Sequence, residues 1–270
     1  MNINEKWRSL GWRHPLWDYV RFYSVVQRQK KELREAWKAK LRRFTMEVDA
    51  EHELAIQEEH AQLFFDYLSE RERDFESATN LLRTEEEAKH FSETLEAEIL
   101  ETNTKNKSHH QSSKAIVAAV SSIAEDHCSE QGMNVVVTPS RRCVWLSENC
   151  LHVTARNLDG AIPSLDSPQM IWEIKEYWGK TKGGSKMSDA VYECALVGRE
   201  LREFEERANL TWVPHIVFID GQHQWSYRRS DLKRFIDLFH QGLIDHLIIG
   251  REVETEWKDL LQHYFPLQSQ

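Results

Sequence analysis

The spacing of apolar residues changes character near residue 112. Upstream, Leu54, Ala61, Phe64, Phe65 and Leu68 recur at helical spacing, as do Phe91, Leu95 and Ile99. Steps of seven, three, one, three and four keep these residues on one face, the stripe of an amphipathic helix. No Gly or Pro stands between Pro15 and Gly132, so the stretch predicts several long helices packed on one another or on a second subunit. "ETNTKNKSHHQSSK", 101–114, is polar and aperiodic and reads as a linker. Its His109 and His110 are adjacent, but a polar linker is a poor place for a metal site.

Downstream the pattern alternates between helix and strand. "SKAIVAAVSSIAEDH" puts Ile116, Ala119, Val120 and Ile123 on one helical stripe. "NVVVTP", "LHVTAR", "GAIP" and "MIWEIKEYW" read as strands. A helix follows with Val191, Cys194, Ala195, Gly198 and Leu201 on one side. Then come a strand in "WVPHIVFIDG", a helix in "RSDLKRFIDLFHQGL", a strand in "DHLIIG" and a helix in "EVETEWKDLLQHYF". This order predicts an α/β (α+β) fold, a mixed β-sheet flanked by helices and preceded by an all-α N-terminal domain. The expected division is a helical domain over 1–103, a linker over 104–113 and a second domain over 114–270.

Composition narrows the classes. Hydrophobic content of 40% with ten Trp excludes a wholly disordered chain. No apolar run approaches ~18 residues, and the first residues lack a secretory signal, so a cytoplasmic protein without membrane contact is expected. Cys128, Cys143, Cys150 and Cys194 fit neither a disulfide framework nor a zinc spacing and read as free thiols. The net charge of −9 is unevenly spread. Residues 28–43 hold eight Lys/Arg against two Glu, whereas 44–101 hold four against eighteen Asp/Glu. The basic run around Trp37 suits a DNA-contacting helix, a solvated face or a subunit contact, since a nucleic-acid footprint is local.

The chemistry centres on "IWEIKEYWGK", 171–180. Glu173 and Lys175 interrupt an apolar strand, and residues two apart share a face. Buried charges there need a partner, water or a metal. "SLDSP" predicts a chain reversal near Asp166. Residues whose numbers total about 332 then lie opposite each other, which sets Asp159 against Glu173 at roughly 5 Å between Cβ atoms. Asp166 falls in the bend, roughly 23 Å away along an extended strand. Two carboxylates with the carbonyl of Ile174 describe an Mg²⁺ site, and Lys175 stands ready to orient water or stabilise developing negative charge. A solvated cross-strand pair is the plainer alternative.

Asp159 followed by Glu173-Ile174-Lys175 on the next strand resembles the PD-(D/E)XK nuclease superfamily, over about residues 112–250. Leu158 stands where that motif often has Pro. The resemblance implies a restriction-endonuclease-like fold and Mg²⁺-dependent hydrolysis of double-stranded DNA in the manner of a type II restriction enzyme. Asp159 and Glu173 would be ligands, Lys175 the catalytic lysine, and a homodimer would serve the two strands. Glu125 and Glu193 are candidates for a further carboxylate. Lys180, Lys182 and Lys186, around Gly183-Gly184, would follow the DNA backbone, and Arg141 and Arg142 would reach a groove. Alternatives are a defence or repair nuclease targeted by structure, or a non-catalytic helical DNA-binding or assembly protein. Asp220-Gly221, after an apolar strand, reads as a turn.

Overall fold

A computed structural model describes residues 5–26, 35–36, 39, 45–47, 53–101, 112–147, 149–179, 185–209 and 212–266. Among them are nine α-helices: α1 (Glu5–Arg8), α2 (Leu16–Val26), α3 (Glu58–Leu81), α4 (Glu85–Thr94), α5 (Ala115–Glu130), α6 (Ser185–Ala208), α7 (Gln222–Tyr227), α8 (Arg229–His240) and α9 (Glu256–Tyr264). The strands are β1 (Thr45–Glu47), β2 (Glu53–Ala55), β3 (Val136–Val137), β4 (Val144–Leu146), β5 (Leu151–Val153), β6 (Gly160–Ile162), β7 (Met170–Glu176), β8 (His215–Asp220) and β9 (His246–Ile249). A five-stranded mixed sheet runs β3-β6-β7-β8-β9. Its first three strands are antiparallel and its last three parallel. β1–β2 and β4–β5 are separate two-stranded hairpins. The expected mixed sheet flanked by helices is the observed architecture, with a helical region at its N-terminal side.

The parallel half is apolar on both faces because helices cover both. On one face, Trp172, Ile216, Phe218 and Ile248 pack against α5 and α9. On the other, Ile171, Val217, Ile219, Leu247 and Ile249 meet α6 and α8. α6 buries Met187, Ala190, Val191, Cys194, Val197 and Leu201 at helical spacing. Gly198 completes that stripe because a Cβ there would overlap the Leu243 carbonyl. Glu176, at the end of β7, accepts the Ile116 N–H at 2.9 Å and so satisfies a free donor at the start of α5.

The helical region departs from the expected pattern in two places. Its unpunctuated span contains the β1–β2 hairpin, so Leu54 lies on a strand, and α3 begins only at Glu58. α4 stops at Thr94, leaving Leu95 and Ile99 beyond it. There Glu96 adopts φ 54°, with Glu96 N–H donating to Glu93 O and Ala97 N–H to Ser92 O. This is a Schellman stop built without glycine, and its residue type does not announce it.

Nor does the 104–113 segment separate two cores. Phe75, Ala78 and Leu82 share a core with α6, α8 and the sheet, while Ala88 and Phe91 pack with α5 and its neighbours. Among the described residues, the first part of the chain, around Trp7, Trp17, Phe64 and Tyr67, forms a separate cluster. Residues 104–111, with His109 and His110, and most of 28–43 lie outside the described residues. Asp220 is more than a turn residue. It ends β8 fully buried and accepts from Arg83 N and Nε, both at 2.8 Å. All four cysteines are free thiols. No helix among the described residues is long and apolar enough to cross a membrane.

Candidate active site

The reversal centred on Asp166 is present. Asp166 N–H donates to Ser164 Oγ at 3.1 Å, and that hydroxyl donates to Asp166 O at 2.7 Å. β6 and β7 pair Gly160 with Trp172, Ala161 with Ile171 and Ile162 with Met170, which is the register whose residue numbers total 332. Gly160 permits it, because a Cβ there would overlap the Trp172 ring. One residue before the strand, Asp159 N–H donates to Trp172 O at 3.0 Å, one residue off that register, so the regular pairing stops at Gly160–Trp172 and Asp159 lies just past its end.

Asp159 Oδ2 then accepts the Ile174 N–H at 2.7 Å, so the carboxylate takes the place of a ladder partner at the end of the short strand. Ile174 turns its side chain toward the α5 face. Burial raises the Asp159 pKa, with the Ile174 N–H and the Lys175 charge acting against it.

Glu173 and Lys175 point to the α6 face with 1% and 4% side-chain exposure. Lys175 Nζ donates to Glu173 Oε2 at 2.6 Å and reaches Glu193 Oε2 at 3.3 Å. Arg156 Nη1, from the bend between β5 and β6, lies 3.4 Å from Glu173 Oε2 and also pairs with Glu193. Burial alone would raise the Glu173 pKa, yet Lys175, His215 and Arg156 outweigh it and hold it below the usual value. Burial likewise opposes the Lys175 ammonium, but Cys194 and Glu173 outweigh it and raise its pKa. Cys194 is itself driven well above its ordinary pKa by burial and stays a neutral thiol, so the Glu173 carboxylate does that work. His215 is fully buried, and burial lowers its pKa, so it too is neutral, and Lys175 and Arg156 are the charges that hold Glu173 down.

Two acid oxygens suit a cation. Glu173 Oε1 is buried without a hydrogen-bond partner, an acceptor whose isolation is costly unless something electropositive meets it. Asp159, half-buried just past the regular pairing, commits Oδ2 to a backbone N–H. Among the described residues no group of three or more His, Cys, Asp or Glu is gathered around one point. Two carboxylates with a main-chain oxygen still form an adequate Mg²⁺ donor set, because that ion keeps several waters and uses few protein ligands.

The remaining candidates divide. Glu193 joins the cluster through Lys175 and Arg156. Glu125 does not: it is exposed near the far end of α5, which packs on the opposite face of the sheet. Lys186 is exposed on the first turn of α6, with Nζ 5.6 Å from the Tyr177 ring centroid, near the end of β7. Lys180 and Lys182 lie outside the described residues. Arg141 and Arg142 are exposed in the loop before β4, with no ion pair to the cluster among the described residues. Arg156 is the residue the sequence reading missed. Its one local signal is a cation three positions before Asp159.

The fold and this cluster describe an α/β protein with a buried Glu173–Lys175 pair and the Asp159 carboxylate as a candidate site on its central hairpin. Residues 57–264 match a family described as "Domain of unknown function (DUF7687)", and the chain belongs to that family. The match runs through the polar linker, as the shared cores do. No curated protein and no solved structure matches the chain.

Proposed function

We propose that this chain is a Mg²⁺-dependent deoxyribonuclease of the PD-(D/E)XK type, hydrolysing phosphodiester bonds of double-stranded DNA in the cytoplasm. The observation that supports the reading is the end of the β6–β7 hairpin, where Asp159 Oδ2 accepts the Ile174 N–H between Glu173 and Lys175 and Lys175 is bonded to Glu173. Asp159, Glu173 and the Ile174 carbonyl would hold the ion. When bound, it lowers the pKa of water and offsets negative charge developing on the phosphoryl group. Lys175 stays charged through its pairing with Glu173 and presents N–H donors to water or a phosphoryl oxygen. Cleavage then leaves 5′-phosphate and 3′-hydroxyl ends, and two copies would serve the two strands, with the N-terminal helices as the bridging surface.

Digestion of a defined supercoiled plasmid with Mg²⁺ or with chelator tests this directly. Wild type should cleave only with the metal, and Lys175→Ala and Glu173→Gln should each slow cleavage by about 10²-fold or more. Calorimetric titration with Mn²⁺ gives a second readout, lost in Asp159→Asn. Discrete fragments support site-specific action of the type II kind, and a smear supports targeting by structure. DNA retention without metal, unchanged in Glu173→Ala and with no cleavage, returns the chain to the binding class.

A further inference from the structure

The proposed nuclease site contains two layers of charge. The inner layer, Glu173 and Lys175, is buried, with 1% and 4% side-chain exposure. In the outer layer, Arg156 and Glu193 have 35% and 41% exposure. One oxygen, Glu193 Oε2, touches both cations, Lys175 Nζ at 3.3 Å and Arg156 Nη1. The Arg156 main chain is held in place: Thr154 Oγ1 donates to Arg156 O at 2.8 Å, and Ala155 N–H donates to Glu200 Oε2 on α6 at 3.1 Å. The arginine therefore stands on a fixed bend, whereas Glu193 sits beside exposed Tyr192 on the helix surface and can turn into water.

Charge count decides what the outer layer is for. Asp159, Glu173 and Glu193 set three negative charges against the two positive charges of Lys175 and Arg156. A divalent ion on Asp159 and Glu173 would offset those two carboxylates and leave Glu193 as the one facing an arriving phosphodiester, and like charges at this range repel strongly where water is scarce. Withdrawal of Glu193 removes that repulsion and frees Lys175 and Arg156 for an incoming anionic oxygen. A phosphate oxygen offers what the Glu193 oxygen offers now, and guanidinium suits it better than any other side chain.

Resting on the nuclease reading, we infer that Arg156 is the backbone-phosphate clamp of this site and that Glu193 occupies the phosphate position in the free protein. The ligand is the phosphodiester backbone of a nucleic acid, read without regard to base. Arg156 binds substrate, and Glu193 is a positioning residue that competes with it. Glu193 is thereby removed from the candidate metal ligands.

The test is fluorescence anisotropy of a labelled DNA duplex with full-length protein in Ca²⁺, beside steady-state cleavage in Mg²⁺. Asp189→Asn, an exposed charge one turn earlier on α6, controls for net charge alone. Glu193→Gln should bind roughly two- to fivefold more tightly than Asp189→Asn and lower KM with little change in kcat. Arg156→Ala should weaken binding about tenfold or more, and Arg156→Lys by less. In the Arg156→Ala background, Glu193→Gln should lose its advantage over Asp189→Asn. Should Arg156→Ala fail to fold, the Arg156→Lys and Glu193→Gln arms decide alone.

Equal affinities of Glu193→Gln and Asp189→Asn, with Lys175-dependent cleavage intact, overturn the clamp and leave the nuclease. Shifts as stated, without cleavage by wild type, keep the clamp and remove the catalysis. A wild type that binds no duplex overturns both.

Discussion

Glu205 is twelve residues beyond Glu193 on α6 and faces a different problem. Burial pushes its carboxyl up to about 7, while Arg202, with Nε at 3.2 Å, and the Val213 N–H, at 2.7 Å, act against the shift. A carboxyl with a folded pKa above its unfolded value holds its proton in the native state while the unfolded chain releases it. Its contribution to stability is complete below about pH 4.3 and is lost as pH rises through about 7. The difference corresponds to roughly 4 kcal/mol at most. Glu176, also pushed up to about 7 by burial, acts in the same direction, and His246, pushed down to about 4, in the opposite one. Comparison of variants isolates the term. Chemical denaturation of Glu205→Gln at pH 5 and pH 8 should show a loss smaller than in wild type by about 2–3 kcal/mol. Identical pH slopes in the two proteins would show that Glu205 titrates normally.

At the scale of elements, the joint between α3 and α4 is tied to the end of β8. Arg83 and Asp220 are 1% and 0% exposed, and Asp220 Oδ1 also accepts the Gly221 N–H at 2.8 Å. Arg83 continues to Glu254 at 2.8 Å, and its carbonyl accepts the Gln222 N–H at 2.8 Å. A buried pair adds little over a well-packed apolar pair, but loss of one member strands the other. Asp220→Ala should therefore lose about 3–5 kcal/mol in urea unfolding. The double variant Arg83→Met/Asp220→Leu should recover most of that. A single variant within 1 kcal/mol of wild type would deny this contact its anchoring role.

For the whole molecule, the expected division into helical and catalytic domains meets a shared interior. Residues 112–270 alone would expose the surfaces covered by Phe75, Ala78, Leu82 and Ala88 and would leave Asp220 without Arg83. That fragment should show no cooperative thermal transition by circular dichroism, whereas 53–270 should melt as one unit. A cooperative melt of 112–270 at the full chain's Tm would restore the two-domain division. The candidate site lies within 156–193, although its support comes from the whole of that interior.

Much of the β6–β7 hairpin was legible in the chain itself. The turn residues near Asp166 and the period-two pattern on either side specify a register, because a slip of one residue would turn the whole apolar set to the wrong face. That register brings Asp159 close to Glu173 before any coordinates exist. The helix–strand order after residue 112 is similarly written in period and punctuation.

Tertiary packing alone decided the rest. Arg156 meets Glu193 across thirty-seven residues, and only the docking of α6 over the sheet brings them together. Glu125 was sent to the opposite face by the same layering, and Asp220 acquired a buried partner 137 residues away. Local patterns report which way a side chain faces along its own element. Which charge waits across the layer depends on how the elements are stacked, and hydrophobic burial on both faces of the sheet settles that.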